Sequence, residues 1–158
     1  MITARDLMTT NVITVKNDMP IKQIMKIMAD HKIEALPVID KNDYLVGIIT
    51  DGDLMFRFSK FYPPLFEQIL QDAIHVENPM AMRDEVNKML GNTAGDIMTK
   101  RVVSVTEDMT LEDISSILVT RKVKRLPVVK DKKVIGIITR KDIISVLSKY
   151  GPPTGELK

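Results

Sequence analysis

The residues with most capacity for chemistry sit in one string that occurs twice. Gly-Ile-Ile-Thr-x-x-Asp runs from Gly47 to Asp53 and again from Gly136 to Asp142. In both places an apolar run ends and a helix is expected to begin. Thr-x-x-Asp at a helix start is a capping-box pattern, and Thr110-Leu-Glu-Asp113 shows the same spacing used for capping alone. The two longer strings carry more than a cap. Their glycine leaves room for close approach of a backbone or a ligand. Their acid is Asp, shorter than the Glu or Gln that reaches back best. A helix start offers unpaired N–H groups and a positive dipole end, which favour phosphate. An ionised carboxylate beside a threonine hydroxyl can accept hydrogen bonds from both hydroxyls of a ribose. Nothing adjacent pairs a nucleophile with a base, so the chemistry suits binding rather than catalysis.

The elements that must position these strings are themselves duplicated. Residues 4–42 align with 94–132 at an offset of ninety, and 44–55 with 133–144 at eighty-nine; 19 of the 51 pairs are identical. The gap falls at Asp43, in Lys41-Asn42-Asp43, where a turn absorbs a length change cheaply. Each copy reads strand, helix, strand, strand, helix. In the first, Val12–Val15 is a β-branched run, and Asp18 with Pro20 marks a helix carrying Ile21, Ile24, Met25 and Met28 at helical spacing. Leu36–Ile39 and Leu45–Ile49 read as strands around a turn, and a helix opens near Asp51. The second copy repeats this with Leu111, Ile114 and Leu118, then Leu126–Val129, Val134–Ile138 and a helix over Arg140–Lys149. Apolar residues on consecutive strand positions predict that both sheet faces are covered.

Motifs flanking the strings make the pattern a familiar one. With Leu-Pro-Val before each (Leu36–Val38, Leu126–Val128) and Asp-x-Met-Thr at each start (Asp6–Thr9, Asp96–Thr99), the sequence resembles a tandem cystathionine β-synthase (CBS) domain pair, or Bateman module. The resemblance covers about 105 of the 158 residues. It implies an α+β fold in which two β-α-β-β-α CBS repeats pack by their sheets about a pseudo-twofold axis. The organisation expected is CBS repeat 1 at 1–57, a helical connector at 58–93, CBS repeat 2 at 94–150 and a flexible tail at 151–158.

The family implies two clefts between the repeats, each taking Thr and Asp from one repeat and holding the base with the other. Carried over, Thr50 and Asp53 join Lys100, Arg101, Val103 and the run Val123, Lys124, Arg125, Leu126 and Pro127. Thr139, Arg140 and Asp142 join Thr10, Asn11, Ile13 and the run Ile33, Glu34, Ala35, Leu36 and Pro37. The aspartates are expected on ribose hydroxyls, main chain near Ile33/Ala35 or Val123/Arg125 on the adenine edge, and Ile13 or Val103 against the ring. The implied function is a regulatory, ligand-sensing module for adenosine-containing nucleotides (AMP, ADP or ATP) that signals to a regulated protein. Alternatives are a structural homodimerisation module with empty clefts, or a binder of S-adenosylmethionine, NAD or nucleic acid. No obligatory cofactor is implied beyond the adenine nucleotide as regulatory ligand, and a homodimer is expected.

Charge and composition sharpen this. Net charge is +2, too small to imply nucleic-acid binding. Residues 4–55 hold six basic and eight acidic side chains, whereas 94–147 hold eleven and seven, so the later stretch attracts anions better. Lys100, Arg101, Lys124 and Arg125 suit phosphate at the first cleft; Glu34 stands where its counterpart is Lys124, although Arg140 and Lys141 lie near the second. The stretch Arg121–Arg125 lacks the aromatics that base stacking needs. Absence of cysteine excludes disulfides, thiolate metal sites and a cysteine nucleophile, and no metal site is expected from two histidines, His31 at a helix end and His75 in the insert. Without a nucleophile, a phosphate-cradling loop or a catalytic domain, the chain reads as no enzyme. No apolar run is long enough to span a bilayer and the start lacks a signal-peptide layout, so a cytoplasmic address is expected. In the insert, helices are expected at Leu65–Ile74 and Met82–Leu90. Phe56, Phe58, Phe61, Tyr62 and Phe66 hold five of the seven aromatics and read as packing for the connector.

Overall fold

The structure is a computed structural model, and it describes residues 1–57 and 91–151. The expected insert helices, His75, the aromatics after Phe56 and the tail beyond Gly151 lie outside the described residues.

The two repeats build the same elements apart from the first strand. The first contributes α1 (Ala4–Leu7), β1 (Val15–Lys16), α2 (Ile21–His31), β2 (Ala35–Ile39), β3 (Leu45–Thr50) and α3 (Asp51–Arg57). The second contributes α4 (Ala94–Ile97), α5 (Leu111–Thr120), β4 (Arg125–Lys130), β5 (Lys133–Thr139) and α6 (Arg140–Tyr150). The hairpins β2–β3 and β4–β5 are antiparallel, with Pro37 opposite Ile48 and Pro127 opposite Ile137, and each has a register shift near the turn. The shorter turn places Asp131 and Lys132 both at positive φ, the geometry of a two-residue hairpin loop. The longer one is held by Asp40, whose carboxylate accepts from the amides of Asn42 and Tyr44.

The first strand of each repeat is shorter than its β-branched run predicts. Only Val15 and Lys16 pair, in parallel, with Val38 and Ile39. Upstream, the Val12 amide donates to the Thr10 carbonyl, so that stretch turns. In the second repeat the strand reduces to one parallel bridge, Val105 to Val128. Burial on both faces holds for the inner strands, where Ala35–Val38 and Leu126–Val128 are buried in succession. It fails for β3 and β5, which alternate: Gly47 and Ile49 are buried, as are Gly136 and Ile138, between partly exposed neighbours.

The chain divides into two compact units that do not follow the order of the repeats. The first unit is Ile13–Val102; the second joins Met1–Val12 to Val103–Lys158. Helix α4, from the second repeat, therefore packs in the first unit, and α1, from the first repeat, packs in the second. In the first unit Ala94, Ile97 and Met98 share a core with Val15, Ile24, Leu36, Val38 and Ile49. In the second, Ala4 and Leu7 share one with Val105, Ile114, Leu126, Val128 and Ile138. At roughly 1.5–3 kcal/mol per buried aliphatic side chain, the exchanged helices are integral to both cores.

Candidate functional site

Each unit carries one Thr–Asp pair at the junction of its outer hairpin strand and the helix after it. In the first unit Asp53 Oδ2 accepts from the Thr50 amide at 2.9 Å and from its hydroxyl at 3.3 Å. In the second, Asp142 Oδ2 accepts from the Thr139 amide at 2.7 Å and from its hydroxyl at 2.9 Å. Both aspartates are thus capping-box residues, as the local pattern requires. They are only partly buried, and among the described residues each uses a single carboxylate oxygen. Oδ1 keeps its lone pairs for a hydroxyl donor. A carboxylate fixed by its own cap is preorganised to accept, because its rotamer is already held.

The same bonding recurs at the N-termini of α1 and α4. Asp6 Oδ2 accepts from the Thr3 amide at 2.9 Å, and Asp96 Oδ2 from the Thr93 amide at 3.1 Å and hydroxyl at 2.9 Å. The Asn92 amide adds a third donor to Asp96 at 3.1 Å. Burial pushes the Asp96 carboxyl up, but the Thr93 hydroxyl and the amides of Thr93 and Asn92 outweigh it, holding it below the usual carboxylate range. Thr110 Oγ accepts from the Asp113 amide at 3.3 Å, the purely structural cap that its sequence predicts.

The glycine of each string has a role that sequence reasoning missed. A Cβ at Gly47 would lie 2.7 Å from Met98 Cγ, and one at Gly136 would lie 2.8 Å from both Cβ and Cγ of Met8. The close neighbour is therefore a methionine side chain, from the Asp-x-Met-Thr motif of the other repeat. The next residue of that motif pairs with the string itself: Thr99 exchanges two main-chain hydrogen bonds with Ile48, at 2.9 and 3.0 Å. Thr9 does the same with Ile137, at 3.0 and 3.1 Å. The signal lay in Met following Asp at the same offset in both copies, but a single sequence does not say which glycine each methionine meets.

The expected site residues fall into two groups, one in each unit. Thr50, Asp53, Lys100 and Arg101 share the first unit with Ile13, Ile33, Glu34, Ala35 and Pro37; Thr139, Arg140, Asp142, Thr10 and Asn11 share the second with Val103, Val123, Lys124, Arg125 and Pro127. Within the first, Ala35 is the register partner of Thr50, and the Glu34 carbonyl accepts from the Asp51 amide at 2.9 Å. Within the second, Arg125 is the register partner of Thr139. Ile13 and Ile33 pack against the first core, Val103 and Val123 against the second, each partly exposed. Lys100 and Arg101 are exposed directly after Thr99; their counterparts Thr10 and Asn11 are exposed and uncharged. Among the described residues no cluster of His, Asp and Glu has the makings of a metal site, and no helix is long and apolar enough to cross a membrane.

Two hairpin-and-helix units, each with a polar Thr–Asp turn, are built from a duplicated sequence. The CBS domain family model matches residues 4–60 and 94–149, and the chain belongs to that family as a tandem pair. It is 32% identical over 146 residues to the uncharacterized protein MJ1426 of Methanocaldococcus jannaschii, covering 85% of each chain. It is likewise 32% identical over 149 residues to the chloroplastic CBS domain-containing protein CBSX2 of Arabidopsis thaliana, covering 90% of this chain but 62% of that one. A match to inosine-5′-monophosphate dehydrogenase of M. jannaschii spans only 23% of that enzyme. Among solved structures, CBSX2 in complex with AMP is similar with a TM-score of 0.76 at 28% identity, covering 96% of this chain and all of that one. The CBS domain pair of protein MJ0100, in complex with 5′-methylthioadenosine and S-adenosyl-L-methionine, has a TM-score of 0.66 at 25% identity, covering 94% and 97%.

Proposed function

We propose that this CBS pair is a non-catalytic sensor that binds an adenosine-containing ligand at its Thr–Asp turns and reports occupancy to a protein it regulates. The observation that carries this reading is the unused Oδ1 of Asp53 and of Asp142, each on a carboxylate already fixed by its own cap. Similar CBS pairs hold AMP, 5′-methylthioadenosine and S-adenosylmethionine, which supports the adenosine class. The two turns differ in the residues after the neighbouring Met-Thr: Lys100 and Arg101 in the first unit, Thr10 and Asn11 in the second. A phosphate at the Thr50–Asp53 turn would meet Lys100 and Arg101, and one at the Thr139–Asp142 turn would meet Arg125 and Arg140.

Asp53→Asn tests the assignment, because an amide oxygen still serves the cap while the charge is lost. A charge-assisted hydrogen bond contributes about 1.5–3 kcal/mol, so calorimetric titration with AMP should show roughly ten- to a hundredfold weaker binding at near-normal thermal stability. Unchanged affinity would remove Asp53 from the site. Failure of a panel of AMP, ATP and S-adenosylmethionine to bind the unaltered protein at all would reject the sensor reading.

A further inference from the structure

The two methionines that meet the string glycines are equivalent in sequence and unequal in exposure. Met98 belongs to the first unit's core and is 8% exposed. Met8 packs against the second core but stays partly exposed. Its side chain lies so close over Gly136 that a single added carbon there would meet Cβ and Cγ at 2.8 Å, with Sδ nearer still. Met8 also closes α1, its amide donating to the Ala4 carbonyl at 2.9 Å. Thr9, the next residue, is the one that exchanges main-chain bonds with Ile137, two residues before the Thr139–Asp142 turn. Among the described residues Met1 and Met55 are far more exposed, at 100% and 73%, but neither packs on a core. Met19, Met25 and Met109 pack on a core while partly exposed, but none of them is pressed against a glycine.

We propose that Met8 is an oxidation site, and that its sulfoxide releases α1 from the second unit. The oxidant is a peroxide. A sulfur lone pair attacks one oxygen of hydrogen peroxide, the O–O bond breaks, and the proton left on the transferred oxygen joins the departing hydroxide as water. Sulfur is oxidised and the peroxide reduced by one electron pair. The product puts a polar, chiral group where a flexible apolar one had packed. Its oxygen needs both space and a hydrogen-bond donor. On the Gly136 side it finds neither, since the carbon atoms already crowd and the Ile137 amide is already given to Thr9. Helix α1 is four residues long, held by Ala4 and Leu7 in the core and by its amide bonds to Met109 and Glu107, so moving Met8 frees the whole element. Met98, shielded by burial, spares the first unit. The inference does not rest on the ligand assignment.

Titration of the full chain with hydrogen peroxide tests this, with peptide mass mapping and hydrogen exchange read on the same samples. Met8 should gain one oxygen before Met98 does. As it gains it, the amides of Ala4, Arg5 and Ile137 should lose protection while β2 and β3 of the first unit keep theirs. Met8→Leu, a swap that nearly conserves volume, should hold its protection through the same treatment. Oxidation of Met98 as fast as Met8 would overturn the selectivity. A Met8 sulfoxide with the α1 amides still protected would overturn the release of the helix. Loss of the same protection in peroxide-treated Met8→Leu would place the effect on another methionine and overturn the assignment.

Discussion

Helices α1 and α4 dock in their units through the same main-chain bonds but different side chains. For α1, the Ala4 amide donates to Met109 and the Arg5 amide to Glu107, at 2.8 and 3.0 Å. For α4, Ala94 donates to Met19 and Gly95 to Asn17, at 2.9 and 2.7 Å. Around the first pair an ionic cluster has grown: Glu107 meets Arg5 at 3.0 Å and Lys130 at 2.9 Å. Around the second there is closeness instead, since a Cβ at Gly95 would lie 3.1 Å from the Asn17 carbonyl oxygen. Backbone geometry and apolar packing are the shared framework, and charge is where the two halves diverge. The same division runs through the Thr–Asp turns, identical in their caps and unlike in the cations beside them.

The largest effects should come from breaking the exchange of helices. Ile97→Ala, in the second repeat by sequence, removes a side chain 2% exposed in the first unit's core and should cost about 2–5 kcal/mol. Hydrogen exchange should rise fastest in α2 and β2, whereas Leu7→Ala should loosen α5 and β4; the opposite assignment would refute the exchanged packing. Smaller are the glycine substitutions. Gly136→Ala should destabilise by about 1–3 kcal/mol through overpacking, and Gly47→Ala by less, because Met98 offers its Cβ at 3.1 Å where Met8 offers its own at 2.8 Å. Thermal unfolding of Gly136→Ala combined with Met8→Ala should show non-additivity, and simple additivity would deny that the two residues meet.

The smallest effect is electrostatic and confined to the second unit. The hydrogen bonds from Lys130 and Arg5 hold the Glu107 carboxyl below the usual range. A lowered folded-state value means the ion pairs stabilise above the unfolded carboxyl's range, and that contribution disappears as pH falls through the lowered value. Both carboxylate contacts are exposed and salt-screened. Glu107→Gln should therefore destabilise slightly at neutral pH in low salt, and match the unaltered protein in high salt or strong acid. A stability difference that persisted in acid would assign Glu107 a role other than its charge.

Local chemistry was the legible part of this fold. The hairpins, the long helices and the turn that absorbs Asp43 all came from periodicity and turn residues within one repeat. So did the Thr–Asp caps, which close over three residues. The exchange of α1 and α4 did not, because Ala4, Asp6 and Met8 recur as Ala94, Asp96 and Met98, so either segment satisfies either core. The glycines were open to misreading for a related reason: a missing side chain signals closeness without naming the neighbour. The first strands were over-read because β-branched residues favour extension, while pairing depends on a partner edge that only Val15, Lys16 and Val105 reach.

The proposed ligand contact joins a carboxylate fixed by its own cap to the sugar of an adenosine ligand. Calorimetry with AMP and 2′-deoxy-AMP, on the unaltered protein and on Asp53→Asn, tests it as a thermodynamic cycle. If Asp53 accepts from the sugar, loss of the 2′-hydroxyl weakens binding clearly in the unaltered protein and scarcely in the variant. Equal losses in both would mean that Asp53 and the sugar never meet.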